Sequence, residues 1–265
     1  MINKKNIKNL ILDDINDYLV LFEDSSSIYN IETEFFNQYR FFSQEASDFI
    51  DKNFKIKQNK NNKITDTIIY GLITFETYNN RIFIGFEKGN YKTYLATREA
   101  DYKDFIAKNN FFIIPIIVNS LIVTADNKII ILKTKDYEEL IGGFIGEEDV
   151  INDNIDFIKF INKTTKNIVG DIQLFNTKII GVYKANYSCI FVFNHYTKFT
   201  SEEILNNFNK LKHDNSESID FVINVDDNLG KIICNGYYSK HVRQAFKFFL
   251  KENCNNYKYM NVKLI

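Results

Sequence analysis

The sequence predicts an α+β protein: a mixed sheet held between helical layers, preceded by a smaller α+β unit. β-Rich runs come in pairs joined by Asn-containing turns, and the amphipathic helices fall between those pairs rather than alternating one for one with strands. The chain has 265 residues, 45% of them hydrophobic, enough for two cores of ordinary size. Asn109-Asn110 supplies the break, giving a first unit over 1–108 and a second over 109–265.

In the first unit Tyr18 to Phe22 reads as a strand, Glu32 to Asp51 as mostly helical, and Lys57 to Lys63 as a solvated basic loop. Thr67 to Phe75 and Arg81 to Phe86 are β-rich, with Tyr78-Asn79-Asn80 as the turn of a hairpin. The second unit opens with the apolar run Phe111 to Val118. Its Pro115 cannot donate to a ladder and so belongs at a strand start or edge. Leu121 to Thr124 and Ile129 to Leu132 flank Ala125-Asp126-Asn127-Lys128 as a second hairpin.

Further on, Ile151, Ile155, Ile158 and Ile161 recur at helical spacing, and Phe157 and Phe160 widen the stripe into a broadly buried helix. Lys178 to Tyr183 and Ser188 to Asn194 are strands. Thr200-Ser201-Glu202-Glu203 fits a capping box, and Ile204, Leu205, Phe208 and Leu211 give the helix behind it a core face. Ile219 to Val225 is a further strand. Ser239 caps a last helix whose stripe is Val242, Ala245, Phe246, Phe249 and Leu250.

A net charge of −1 gives no global attraction to nucleic acid or to an anionic membrane, so no specific nucleic-acid binding is expected. The longest apolar run is far shorter than a membrane span, and the first residues lack a signal-peptide core. Cys189, Cys234 and Cys254 are odd in number and widely spaced, which fits a reducing cytoplasm. His195, His213 and His241 have no partner pattern and are not offered as ligands. Ser188-Cys189 lacks the glycine pattern of a nucleophile elbow, so no catalytic residue is assigned.

The segment with most chemical content runs from Thr124 to Asp149: strand, turn, strand, then Ile141-Gly142-Gly143-Phe144-Ile145 followed by Glu147, Glu148 and Asp149. It resembles the opening of a Nudix domain. That family cleaves a diphosphate linkage with a motif written G-x5-E-x7-R-E-U-x-E-E-x-G-U, where U is aliphatic. Its helical glutamates hold the divalent cations that neutralise phosphate charge and orient water. Counted from Gly143, the family's glutamate positions fall on Asp149, Ile158, Ile161 and Asn162. Counted from Gly142, they fall on Glu148, Phe157, Phe160 and Ile161. Aligning Asn167-Ile168 with the motif's end puts Thr164-Thr165 on the double glutamate and still leaves Phe160-Ile161 at the Arg-Glu pair. No register yields the standard metal cluster.

Outside the motif, the chain resembles the two-domain Nudix subgroup that includes UDP-sugar-cleaving members. Ile84 to Thr97 is similar to its Gly-Leu-x-x-Tyr-x-x-Phe-Leu-Gly-Thr segment. Thr200 to Glu203 and His213 to Ser218 are similar to its Thr-Ser-Glu-Glu helix start and Glu-Ser loop, and Ser239-Lys240-His241 to the start of its final helix. The resemblance covers about 81–250 and implies a Nudix α/β/α sandwich.

Gly142 and Gly143 let a backbone loop approach phosphates, or simply make a tight turn. Lys133 stands where the family often places a basic residue toward the diphosphate, or is a surface lysine. Glu217 matches a loop glutamate that orients water or metal, or is solvent-exposed. Glu147, Glu148 and Asp149 are a weak cation site or a solvated acidic loop. The resulting expectation is a pseudo-hydrolase that binds a nucleotide, a nucleotide-sugar or a protein partner and has no cofactor. One alternative is an active hydrolase of a nucleoside diphosphate derivative, with Mg²⁺ or Mn²⁺ held by Glu147, Glu148, Asp149 and Glu217. Another is a scaffold that needs no ligand.

Overall fold

The computed structural model describes residues 5–6, 19–37, 42–98, 113–134, 138–185, 187–211, 218–223 and 238–253. The strands are β1 (Lys5–Asn6), β2 (Leu19–Phe22), β3 (Ser26–Ser27), β4 (Ile31–Phe35), β5 (Ile68–Tyr78), β6 (Arg81–Asn90), β7 (Ile116–Val123) and β8 (Lys128–Lys133). They continue with β9 (Glu138–Glu139), β10 (Ile141–Phe144), β11 (Val150–Ile151), β12 (Asn154–Ile155), β13 (Leu174–Ala185), β14 (Ser188–Thr197) and β15 (Ser218–Ile223). The helices are α1 (Gln44–Lys60), α2 (Tyr91–Thr97), α3 (Phe157–Val169), α4 (Ser201–Lys210) and α5 (Lys240–Asn253).

The larger sheet runs β15-β8-β7-β14-β13-β2, with β10 and β9 added beside β7 and β8 and β3 beside β13. β7 and β14 are parallel and their neighbours antiparallel, so the sheet is mixed. Alternation along the central strands then requires a cover on both faces. Ile122, Ile130 and Ile141 pack against Val169 at the end of α3 and Ile204 of α4, whereas Leu121, Ile131, Ile190 and Val192 pack against Val242, Phe246 and Phe249 of α5. The α/β/α sandwich with a mixed sheet is therefore present, with a four-stranded sheet β1-β5-β6-β4 preceding it.

The two sheets share a core. Phe75 and Phe86 belong to the same buried cluster as Phe160, Phe191 and Phe193, with the Phe75 and Phe191 rings edge to face at 6.1 Å. Pro115 forms the bridge between Gly71 of β5 and the start of β7, in keeping with its expected place. Pairing also crosses the expected boundary at residue 108: β2 and β3 come from the N-terminal segment but pair with β13.

Both hairpin turns expected from the sequence form. Asn79 and Asn80 have φ of 45° and 61°, the pair of left-handed residues that matches the twist of a two-residue β-turn. Asn127 has φ of 57° in the second turn. Thr200 and Glu203 close the capping box, the Thr200 amide donating to Glu203 Oε2 at 2.7 Å. Ser239 Oγ accepts from the amide of Val242 at 3.4 Å.

Other expectations fail. Residues from Glu32 are not helical, because Ile31–Phe35 alternates with period two and pairs in parallel with β6; the helix starts only at Gln44, capped by Ser43. The basic stretch is not all loop, since α1 continues through Lys60. The stripe from Ile151 is not one helix. Asn152 and Asp153 adopt φ of 49° and 61° and fold Val150 to Ile155 into a small hairpin, and α3 begins after Asp156, whose side chain accepts from the Lys159 amide. Ile151 and Ile158 are exposed as a result, as are Leu205 and Leu211, which were expected in the core. Among the described residues no helix is long and apolar enough to cross a membrane.

Candidate functional site

β10 carries the double glycine along the edge of β7 and delivers the chain into a 3-10 turn over Glu147–Asp149. Gly142 lies against β7 so closely that a Cβ would stand 2.0 Å from the Val118 carbonyl oxygen. Gly143 has φ of 155°, and a Cβ there would meet only the tip of Phe160, at 3.9 Å. The two glycines thus face opposite sides of the sheet, Gly142 beside Asn119 and Gly143 toward α3. The close approach at Gly142 is to the protein's own backbone.

The acidic turn is built around Asp149, which has no solvent exposure. Its Oδ2 accepts from the Gly146 amide at 2.9 Å and its Oδ1 accepts from the Lys163 ammonium. Lys163 also donates to Glu148 Oε1 at 3.0 Å, Lys159 donates to the Glu148 carbonyl, and Lys88 of β6 donates to Glu147 Oε1 at 2.9 Å. Lys159, Lys163 and Lys166 sit at i, i+4 and i+7 on α3, one row of a helix surface. Sequence reasoning missed these lysines, although their helical spacing opposite three consecutive acids was visible.

The electrostatics follow from those contacts. The Lys163 hydrogen bond holds the Glu148 carboxyl below its usual range. Burial pulls the Lys163 ammonium down, but the hydrogen bonds to Asp149 and Glu148 outweigh it and the net shift is upward. Each of the three acids therefore has a lysine for its cation.

A hard divalent ion needs about six oxygen ligands, several of them free carboxylates. α3 carries no acidic residue, and Lys163 occupies the oxygens of Asp149 and Glu148 that would face it. Among the described residues no three Asp, Glu, His or Cys side chains come together where they could hold a metal. The described residues of this turn and of α3 do not fit a Mg²⁺ or Mn²⁺ cluster. Glu217 lies outside the described residues.

On the other face of the sheet is a cavity of about 480 Å³, within the range of about 300–1,000 Å³ typical of small-molecule sites. Asn119 of β7 and Ser188 and Ile190 of β14 line its floor, and the mouth lies between α2, β9 and the start of α5. Tyr94, Phe144 and Tyr187 make its aromatic wall, with the Tyr94 and Phe144 rings edge to face at 5.3 Å. Tyr94 is fixed by a 3.3 Å hydrogen bond between its hydroxyl and Ser188 Oγ. His241, bonded through Nδ1 to the Tyr183 hydroxyl at 3.1 Å, has its pKa lowered by burial and by the nearby Arg98.

Lys133 is on β8 directly across from Glu138, which lines the cavity, but its ammonium is bound to Asp220 at 2.9 Å. Of the residues singled out in the sequence, none lines this cavity: Gly142 and Lys133 are next to its lining residues Asn119 and Glu138, while Gly143 and the acidic turn belong to the α3 face. Tyr94, Phe144, Tyr187 and Arg98 were not singled out, because aromatic residues scattered over three segments have no linear spacing.

No family model and no curated protein matches this sequence. Among solved structures, the chain is similar to Tm1382, described as a candidate Nudix hydrolase, at 17% identity and a TM-score of 0.40, over 60% of this chain and 76% of the other. It is similar to a Nudix hydrolase from Nitrosomonas europaea at 12% identity and a TM-score of 0.37, over 52% and 89% of the two chains. A third is a bifunctional NMN adenylyltransferase/ADP ribose pyrophosphatase from Francisella tularensis, at 16% identity and a TM-score of 0.36, over 58% and 45%.

Proposed function

We propose that this chain is a Nudix-type pseudo-hydrolase: a cytoplasmic protein that binds a nucleotide-like ligand and does not cleave it. In this reading, 109–265 form the Nudix-like domain and 1–108 an N-terminal addition that lends β2 and β3 to its sheet. One observation carries the loss of hydrolysis. The acidic turn is charge-compensated from within, by Lys163 on Asp149 and Glu148 and by Lys88 on Glu147. Hydrolysis of a diphosphate needs a cation that is free to meet phosphate oxygens, and an ammonium fixed between two carboxylates is committed to the protein instead.

The binding half of the proposal rests on the aromatic cavity across the sheet, where Tyr94, Phe144 and Tyr187 offer ring surfaces and Asn119 and Ser188 offer hydrogen bonds. The test is phosphorus NMR of ADP-ribose, a UDP-sugar and a dinucleotide incubated with the full chain and millimolar Mg²⁺ or Mn²⁺. The proposal expects no new resonances, together with a rise in melting temperature for at least one nucleotide. Rapid appearance of cleavage products overturns it in favour of the hydrolase alternative. Absence of any thermal shift favours the ligand-free scaffold.

A further inference from the structure

A second cavity, of about 650 Å³, opens beside the N-terminal half of α3, between the turn Ile28–Asn30 and the start of β13. It is of small-molecule size and shares no lining residue with the aromatic cavity of the other face. β13 is broken at this point. Its register against β14 passes from Phe175 opposite Tyr196 to Lys178 opposite Asn194, so Asn176 and Thr177 together face the single residue His195. A bulge of this kind re-aims the side chains it carries. Asn176 takes φ of 53°, a left-handed value that Asn tolerates, and Thr177 is pinned by its 3.0 Å bond to the buried His195.

Asn176 and Thr177 both line the cavity, joined by Asn162 of α3. The side-chain amides of Asn162 and Asn176 make no hydrogen bond among the described residues, and each offers two donors and an acceptor oxygen. Aromatic rings complete the lining. Phe175 and Tyr196 are cross-strand neighbours with ring centres 6.2 Å apart, and Tyr29 is 83% exposed. A single exposed ring is ordinary on a protein surface, but three rings around one cavity form a contact surface.

Charge narrows the class of ligand. Among the described lining residues the one charged side chain is Lys178, and it is paired with Glu252 at 3.0 Å. An anionic ligand finds no uncommitted cation here, a cationic one finds no carboxylate in the lining, and a purely apolar one would strand two amides. Sugars match this lining on both counts, because their ring C–H faces pack on aromatic rings while their hydroxyls donate to and accept from amides. We propose that this cavity binds a neutral carbohydrate, a mono- or disaccharide, with a ring face against Phe175 and Tyr29 and hydroxyls on Asn162 and Asn176. Such binding needs neither phosphate nor metal, so it stands apart from the nucleotide reading of the other cavity.

The experiment is saturation-transfer difference NMR of the full chain with glucose, N-acetylglucosamine, maltose and cellobiose, and with glucose 6-phosphate as the charged counterpart. The expected result is transfer to at least one neutral sugar, strongest at its ring C–H protons. Tyr29→Ala, which removes an exposed ring, and Asn176→Gly, which keeps the left-handed backbone, should each weaken that binding about fivefold or more. Both variants should keep the melting temperature of the unaltered chain to within a few degrees. Transfer to none of the sugars, or affinities unchanged in both variants, would overturn the proposal. Glucose 6-phosphate binding about tenfold more tightly than glucose would contradict a neutral ligand. A concentration-dependent rise in sedimentation coefficient, abolished by Tyr29→Ala, would assign this face to a second copy of the chain and overturn the proposal too.

Discussion

Lys163 donates to Asp149, a carboxylate with no solvent exposure, across the gap between α3 and the turn that follows β10. Lys163 itself is about one-third exposed, and its ammonium lies over the Phe160 ring, 5.2 Å from the ring centre. The pair fixes the turn to the helix and decides the electrostatic character of this face.

Removing that cation should be costly. Lys163→Met leaves Asp149 buried with only the Gly146 amide as partner, and breaking such a pair from one side costs about 3 kcal/mol in global stability. Lys166→Met, which removes an exposed pair with Asp171, should change stability by less than about 0.5 kcal/mol. Urea unfolding of both variants checks the contrast, and equal costs would contradict the role given to Lys163.

Asp126 anchors the β7–β8 turn to the start of α4. It accepts from the Ser201 amide at 2.7 Å, from Ser201 Oγ at 2.6 Å and from Thr124 Oγ1 at 2.8 Å, and pairs with Lys128 at 2.9 Å. Burial raises its pKa, but these bonds together outweigh it, so the carboxyl stays ionised well below the usual range. Its stabilising contribution is present above the unfolded pKa near 3.8 and is lost as pH falls toward the folded value. Asp126→Asn should cost about 1–3 kcal/mol at neutral pH. The variant should also lose less stability than the unaltered chain between pH 4 and pH 2.

His195 is fully buried, stacked on Phe193 and bonded through Nδ1 to the Thr177 hydroxyl at 3.0 Å, and burial lowers its pKa to about 3. Below its ordinary value of 6.5 the unfolded chain takes up a proton that the folded chain refuses, so stability falls with pH, at a limiting slope of about 1.4 kcal/mol per pH unit. Denaturant melts should show a loss of about 1.5 kcal/mol from this group between pH 6.5 and 5. His195→Gln should remove most of it. His241, whose pKa is also lowered, adds to the fall in the same direction.

The two glycines of β10 should respond differently. Gly142→Ala forces a Cβ onto the Val118 backbone, so the β10–β7 pairing must shift, and a loss of about 3 kcal/mol is expected. Gly143→Ala meets only the tip of Phe160 at an ordinary contact distance of 3.9 Å, and its cost of about 1–2 kcal/mol is that of the unusual φ alone. The reverse ranking in thermal melts would contradict the packing.

Much of the fold was legible because its signals are local. Asn79-Asn80 fixed one turn by left-handed dihedrals, Thr200 and Glu203 fixed a cap, and the stripe from Val242 to Leu250 fixed the last helix. The failures share a cause in long-range pairing. Ile31–Phe35 became a strand through β6, fifty residues on, and the apparent helix from Ile151 broke because two left-handed residues made a hairpin instead. For the same reason the site was only half visible. Apolar residues and threonines at the glutamate positions could be counted along the chain, but Lys163 reaching back to Asp149 and the meeting of Tyr94, Phe144 and Tyr187 depend on the fold.

The central claim is that the protein's own lysines neutralise the acidic turn and leave it nothing to offer a metal. Electron paramagnetic resonance of free Mn²⁺ during titration of the full chain measures this directly. The account predicts that the free-ion signal keeps its full amplitude up to millimolar metal. Uptake of one Mn²⁺ per chain at micromolar concentration, abolished by Glu148→Gln, would contradict it.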